Sequence, residues 1–207
     1  MQKAYQLFQN IQFDEGHPIS KMDIQLKSFD PHEALNIELP MKLANQSEVV
    51  LHASSVIINN EIFAFAGVSG TGKSTIAHEL VKSGHKLFSD EALILREANE
   101  SVMCYTFPQQ IRLWNGPQKE SLGLSKDCGP YQLRQLYLLH NKQEHLITPL
   151  SQLLQSTYRP ETRNNQLDLR LLNLVHLMTN HNLVSIKKYT PDPNSFQSLQ
   201  NSIKTLL

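Results

Sequence analysis

The run GVSGTGKS, Gly67 to Ser74, constrains this chain more than any other stretch. It satisfies G-x-x-x-x-G-K-[S/T] in full, follows the apolar segment IFAFA, and leads into Ile76, Ala77, Leu80 and Val81 at helical spacing. Each part has a physical task. Glycines let successive backbone N–H groups turn inward as an anion nest, and the start of a helix adds about half a positive charge. A lysine here reaches β- and γ-phosphates, and a hydroxyl in the next position can ligate Mg²⁺. The expectation is a nucleotide-phosphate loop made by Gly67, Val68, Ser69, Gly70, Thr71, Gly72, Lys73, Ser74 and Thr75. The plainer alternative, a glycine turn that binds nothing, has the strand before it and the helix after it against it.

The segment ahead of the loop narrows the fold. VVLHASSVII and EIFAFA are two β-rich runs separated by Asn59-Asn60. Asn tolerates positive φ, so a two-residue hairpin turn is the economical reading. Counting outward from that turn sets Ile58 against Glu61 and Ala53 against Ala66, which brings His52 opposite Gly67. A lone histidine is otherwise a surface or core residue; this register moves it to the mouth of the loop. The register is weakly defended, because Val56, Ile57 and Ile58 are all apolar and a slip of one residue would reverse every side chain.

Phosphoryl transfer to a hydroxyl needs a carboxylate to accept the proton and often another to hold metal. Asp90 and Glu91 close the segment HKLFS that follows the loop helix. Consecutive strand residues face opposite ways, so both reach one site only if the backbone bends there. A solvated acidic turn is the alternative. Arg112 in QQIRLW is either a phosphate clamp or the outward position of an alternating strand.

Elsewhere the order is α/β with much antiparallel pairing. YQLFQNIQF, MDIQLKSF and ALNIELP read as short strands, giving a β-rich segment over residues 1–46 packed on a P-loop domain over 47–207. KLFSDEALILRE reads as one strand or two, SVMCYTFP, QQIRLW, LRQLYLLH and LVSIKKY as strands, and NGPQKESLGLSKDCGP as a loop. Helices are expected from Thr148-Pro149, over 166–180 as a buried element, and over the last residues with Phe196, Leu199, Ile203 and Leu206 inward. Formal net charge is zero, which argues against nucleic acid or an anionic membrane as partner. The two cysteines, Cys104 and Cys128, stand alone, the N-terminus has no signal-peptide pattern, and no apolar run reaches a membrane-spanning length. A cytoplasmic protein is expected, as a monomer or a homo-oligomer.

His52, the hairpin, GVSGTGKST, AHELVKSGHKLFSDE and their spacings together resemble the catalytic domain of HPr kinase/phosphorylase and its shorter relatives. The likeness is close over residues 49 to 95 and looser after them. It implies an α/β P-loop domain of the HPr kinase/phosphoenolpyruvate carboxykinase type, with a mixed, partly antiparallel sheet. It implies ATP and Mg²⁺ as cofactors, Lys73 and the loop amides on phosphate, Ser74 and Asp90 at the metal, Glu91 as proton acceptor and His52 near the transferred phosphate. Where that family has Asp at the second acid, this chain has the longer Glu91, so base and metal roles stay exchangeable between the two acids. The chain's size is similar to that of short relatives that phosphorylate a serine of a peptide precursor, which implies a peptide or small protein as substrate. The residues alone also admit a small-molecule P-loop kinase, or a nucleotide-binding module without transfer.

Overall fold

The computed structural model describes residues 13, 15–20, 26, 33–115, 118–125, 127–140, 148–160, 162, 164–190 and 192–207, with backbone alone over 109–115 and 118–125. A π-helical turn, Ala34–Glu38, continues into α1 (Leu39–Asn45). Then come β1 (Val49–Ile58), β2 (Glu61–Ala66), α2 (Lys73–Lys82), β3 (Lys86–Ser89), β4 (Ala92–Ala98) and β5 (Ser101–Tyr105). They are followed by β6 (Gln109–Asn115), β7 (Gln118–Ser125), β8 (Tyr131–His140), α3 (Pro149–Ser156), α4 (Asn165–Asn180), β9 (Val184–Lys188) and α5 (Pro193–Leu206).

The fold is mixed α/β around a mixed sheet. Its path runs β2-β1-β4-β5-β8-β9, and β2 also pairs parallel with β8, which closes the path on itself. β1 and β2 form the expected hairpin. Asn59 and Asn60 both take positive φ, and Ala53 pairs with Ala66 and Ile58 with Glu61, the register that counting gave. β3 and β4 share the other edge of β1, β3 along Ser55 to Ile57 and β4 along Val49 to His52.

Strand alternation divides the apolar side chains between two faces. On one face Leu51, Ala53, Ala64, Leu93 and Leu138 pack with Leu153 of α3 and Leu167, Leu171, Leu174 and Met178 of α4. On the other, Val56, Ile58, Phe63 and Phe65 pack under α2 and α5, while Val50, Ala92 and Ile94 pack under Leu35, Leu39 and Leu43. Between these two covers, on the same face of β1, lie His52 and Ser54. The polar gap is where the loop after β2 arrives.

Three expectations change. ALNIELP is helical, because Leu35, Leu39 and Leu43 recur every four residues and all three are buried on one stripe. YQLFQNIQF and MDIQLKSF fall almost wholly outside the described residues. Part of NGPQKESLGLSKDCGP forms β7, which pairs antiparallel with β6 in a separate two-stranded sheet. α4 is buried on one side only, with Leu169 and Leu172 exposed. KLFSDEALILRE is two strands, and α3 starts at the Thr148 N-cap as read. Among the described residues no helix is long and apolar enough to cross a membrane.

Candidate active site

The loop after β2 is shaped by its glycines. A Cβ on Gly67 would stand 2.5 Å from the Leu139 carbonyl oxygen and 2.9 Å from Thr71 Oγ1, so no larger residue fits without moving β8 backbone. Gly72, with φ 90°, precedes α2 in the left-handed region. Thr71 is fully buried and donates its hydroxyl to the Val68 carbonyl at 2.8 Å, which closes the loop on itself. The residue that precedes α2, Gly72, has no side chain to cap the helix start. The first amides of α2 are therefore left for water or an anion.

Lys73 lies in the first turn of α2, buried. Its ammonium donates to the carbonyls of Gly67 at 2.8 Å and Val68 at 3.2 Å. An ammonium has three donors, so one remains for a phosphate oxygen. Burial pulls its pKa down, and the carboxylates of Glu91 and Asp90 oppose that shift. Both acids are thus close enough to act on the same cation.

The backbone bend required by adjacent acids exists. Ser55 pairs with Ser89 and Val56 with Leu87, which leaves Phe88 as an extra residue in β3. After this bulge, Asp90 and Glu91 occupy the step from β3 to β4 and take different partners. Asp90 Oδ1 accepts from Ser54 Oγ at 2.7 Å, and Ser54 Oγ lies 3.5 Å from Ser74 Oγ. Ser54 is fully buried. A buried hydroxyl without a partner would cost about 1–3 kcal/mol, so this pairing holds the strand as well as the acid.

Glu91 turns to His52. Its carbonyl oxygen is 3.2 Å from His52 Nδ1 and its carboxylate oxygen Oε2 is 3.6 Å from the same nitrogen. The carbonyl can only accept, so Nδ1 carries the proton and Nε2 presents a lone pair. Burial, then the Lys73 charge, push the His52 pKa down against the opposing Glu91 carbonyl and Asp90. The ring is therefore neutral at pH 7. Tyr158 packs edge-on against it with ring centroids 6.2 Å apart and donates its hydroxyl to the Asn36 carbonyl at 3.0 Å.

The expected residues thus assemble: His52, Lys73, Ser74, Asp90 and Glu91 share one polar gap, and Gly67 to Thr75 form its loop. Two residues of the gap were not read from the sequence. Ser54 carried a signal, since it stands two residues from His52 on one strand and must share its face. Tyr158 carried none, because it arrives from a segment after α3. The side chain of Arg112 lies outside the described residues. Among the described residues no cluster of three His, Cys, Asp or Glu side chains forms a metal cage. One carboxylate and one hydroxyl joined through Ser54 instead suit a hard divalent cation that takes its other ligands from water and phosphate.

No protein-family model matches the chain. Among curated proteins it is 28% identical to the HPr kinase/phosphorylase of Lachnoclostridium phytofermentans over 107 residues, 51% of this chain and 33% of that protein. To the HPr kinase/phosphorylase of Caldanaerobacter subterraneus it is 38% identical over 74 residues, 36% of this chain and 24% of that protein. To that of a Geobacillus strain it is 32% identical over 101 residues, 49% and 32% of the two chains. The chain spans a third or less of the length of these relatives. Among solved structures, the HPr(Ser) kinase/phosphatase from Coxiella burnetii aligns with 65% of this chain and 96% of its own, at TM-score 0.37 and 18% identity. In sequence, the chain is HPr kinase-like.

Proposed function

We propose that this HPr kinase-like chain is an ATP- and Mg²⁺-dependent phosphotransferase, with a P-loop domain of the HPr kinase type, that phosphorylates a serine of a peptide or small protein. The observation that carries the reading is the division of labour beside one glycine loop: Asp90 is tied toward Ser74, and Glu91 toward His52. A bare nucleotide-binding module needs no such pair. The strand that leads into the loop, β2, pairs antiparallel with β1 as well as parallel with β8, and that hairpin favours this reading over a small-molecule P-loop kinase.

In this reading the loop amides, the start of α2 and Lys73 hold the phosphates. Ser74 and Asp90 would hold Mg²⁺, which when bound would supply positive charge to the nucleotide phosphates. Glu91 accepts the serine proton as the serine oxygen bonds to the γ-phosphorus, the bond to the β–γ bridging oxygen breaks, and ADP leaves. His52 orients the acceptor: a neutral Nε2 receives a hydroxyl donor, and would take a phosphate oxygen only once protonated. The buried setting of Lys73 makes its charge act more strongly on phosphate than it would in water.

The test is transfer from γ-labelled ATP, with Mg²⁺, to HPr and to a library of serine peptides with a matched alanine library. HPr is included because the curated relatives are named for it. Label retained in a serine-bearing acceptor, lost in the alanine match and abolished by chelation, is the expected result. Hydrolysis alone, or label only in small molecules, contradicts the proposal.

A further inference from the structure

We infer that Ser54 is a positioning residue for the metal of this site, receiving the Ser74 hydroxyl proton and giving its own to Asp90 so that both face one divalent cation. The inference rests on the nucleotide reading above and adds a residue to it.

The geometry has a direction. An ionised carboxylate only accepts, so the 2.7 Å contact between Ser54 Oγ and Asp90 Oδ1 uses the one proton that Ser54 owns. What Ser54 then offers toward Ser74, 3.5 Å away, is a lone pair. At 3.5 Å the contact is at the outer limit for a hydroxyl pair, and donation by Ser74 along that line would turn its own lone pairs away from Ser54. A hydroxyl that ligates a cation must do so through a lone pair while its proton points elsewhere. Ser54 supplies that elsewhere.

The strand fixes the arrangement. Val50, Val56 and Ile58, on the same face of β1, are apolar and buried, so His52 and Ser54 form a polar break in that row. The next residue, Ser55, is equally buried and its Oγ has no hydrogen-bond partner among the described residues. Burial of a serine on β1 therefore does not by itself require site partners, yet both partners of Ser54 are site residues. Because Asp90 follows the Phe88 bulge, its carboxylate has no regular strand position to hold it, and Ser54 does so. Outer groups that orient metal ligands typically contribute 10- to 100-fold in metal affinity.

The test uses Mn²⁺ as the probe, followed by the spectrum of the free ion, on the full chain with saturating ADP and no turnover. Ser54→Ala is expected to weaken Mn²⁺ binding by about 10- to 100-fold. Its ADP affinity in the presence of chelator should match wild type. In an Asp90→Asn background the same substitution should change Mn²⁺ affinity little further, since the two act on one ion. The near-isosteric Ser54→Cys should show the same loss and serves if the alanine variant folds poorly. Unchanged Mn²⁺ affinity in both Ser54 variants, or a full additional loss in the Asp90→Asn background, overturns the inference alone. Absence of ADP-dependent Mn²⁺ binding by wild type overturns the nucleotide reading and the inference with it.

Discussion

Glu91→Gln is expected to slow phosphoryl transfer by about 10²- to 10⁴-fold, the usual contribution of a general base, while ADP affinity stays near wild type. The substitution keeps size and shape. The Glu91 carbonyl that holds His52 Nδ1 is backbone and is untouched. What disappears is the ability to take a proton, which matters in the transition state and hardly at all in the ground state. Asp90→Asn should behave differently: its carboxylate is joined to Ser74 through Ser54, so the requirement for Mg²⁺ should rise before the maximal rate falls. Single-turnover rates and calorimetric ADP affinities of the two variants separate these outcomes. If the patterns are interchanged, so are the roles of the acids. If neither variant loses transfer, there is no base here and the kinase reading fails.

Lys73→Ala should weaken binding of Mg-ADP by about 10- to 100-fold, the equivalent of the roughly 1.5–3 kcal/mol of a hydrogen bond to a charged group. The ammonium is held against its own loop by the Gly67 and Val68 carbonyls, so it is already in position when phosphate arrives. It is also buried beside two carboxylates, which keep a positive charge favourable there against desolvation. Lys73→Met retains the stem and removes only the charge; it should match the alanine variant in affinity and wild type in melting temperature. Calorimetry that finds equal affinity in wild type and both variants would remove phosphate binding from this loop.

What could be read in the chain divides along physical lines. The β1–β2 hairpin was legible because Asn59-Asn60 determines a turn locally, and the turn then sets every pair out to Ala53 and Ala66. The loop was legible because its glycines answer steric demands written at fixed spacing. The stretch from Ala34 to Asn45 was misread because short alternation and a four-residue stripe coexist in ALNIELP. Only the docking of Leu35, Leu39 and Leu43 onto Val50 and Ile94 decides between them. β7 was hidden by the turn-forming residues around it. At the site, that Asp90 and Glu91 needed a bend was foreseeable, but the division of their partners depends on the Phe88 bulge, a property of the pairing with β1. Tyr158 reaches His52 because the Tyr158 amide donates to the Val50 carbonyl at 2.9 Å, a long-range contact that no local pattern announces.

The claim on which the rest depends is that phosphate sits between the start of α2 and the His52–Ser54 stretch of β1. Titrating ¹⁵N-labelled protein with Mg-ADP and following backbone amide shifts addresses it residue by residue. The account predicts saturable shifts concentrated at Gly67 to Thr75, with smaller ones at His52, Ser54, Asp90 and Glu91. Shifts centred instead on the cleft lined by Glu48, Arg96 and Arg170, or no saturable shifts at all, would contradict it.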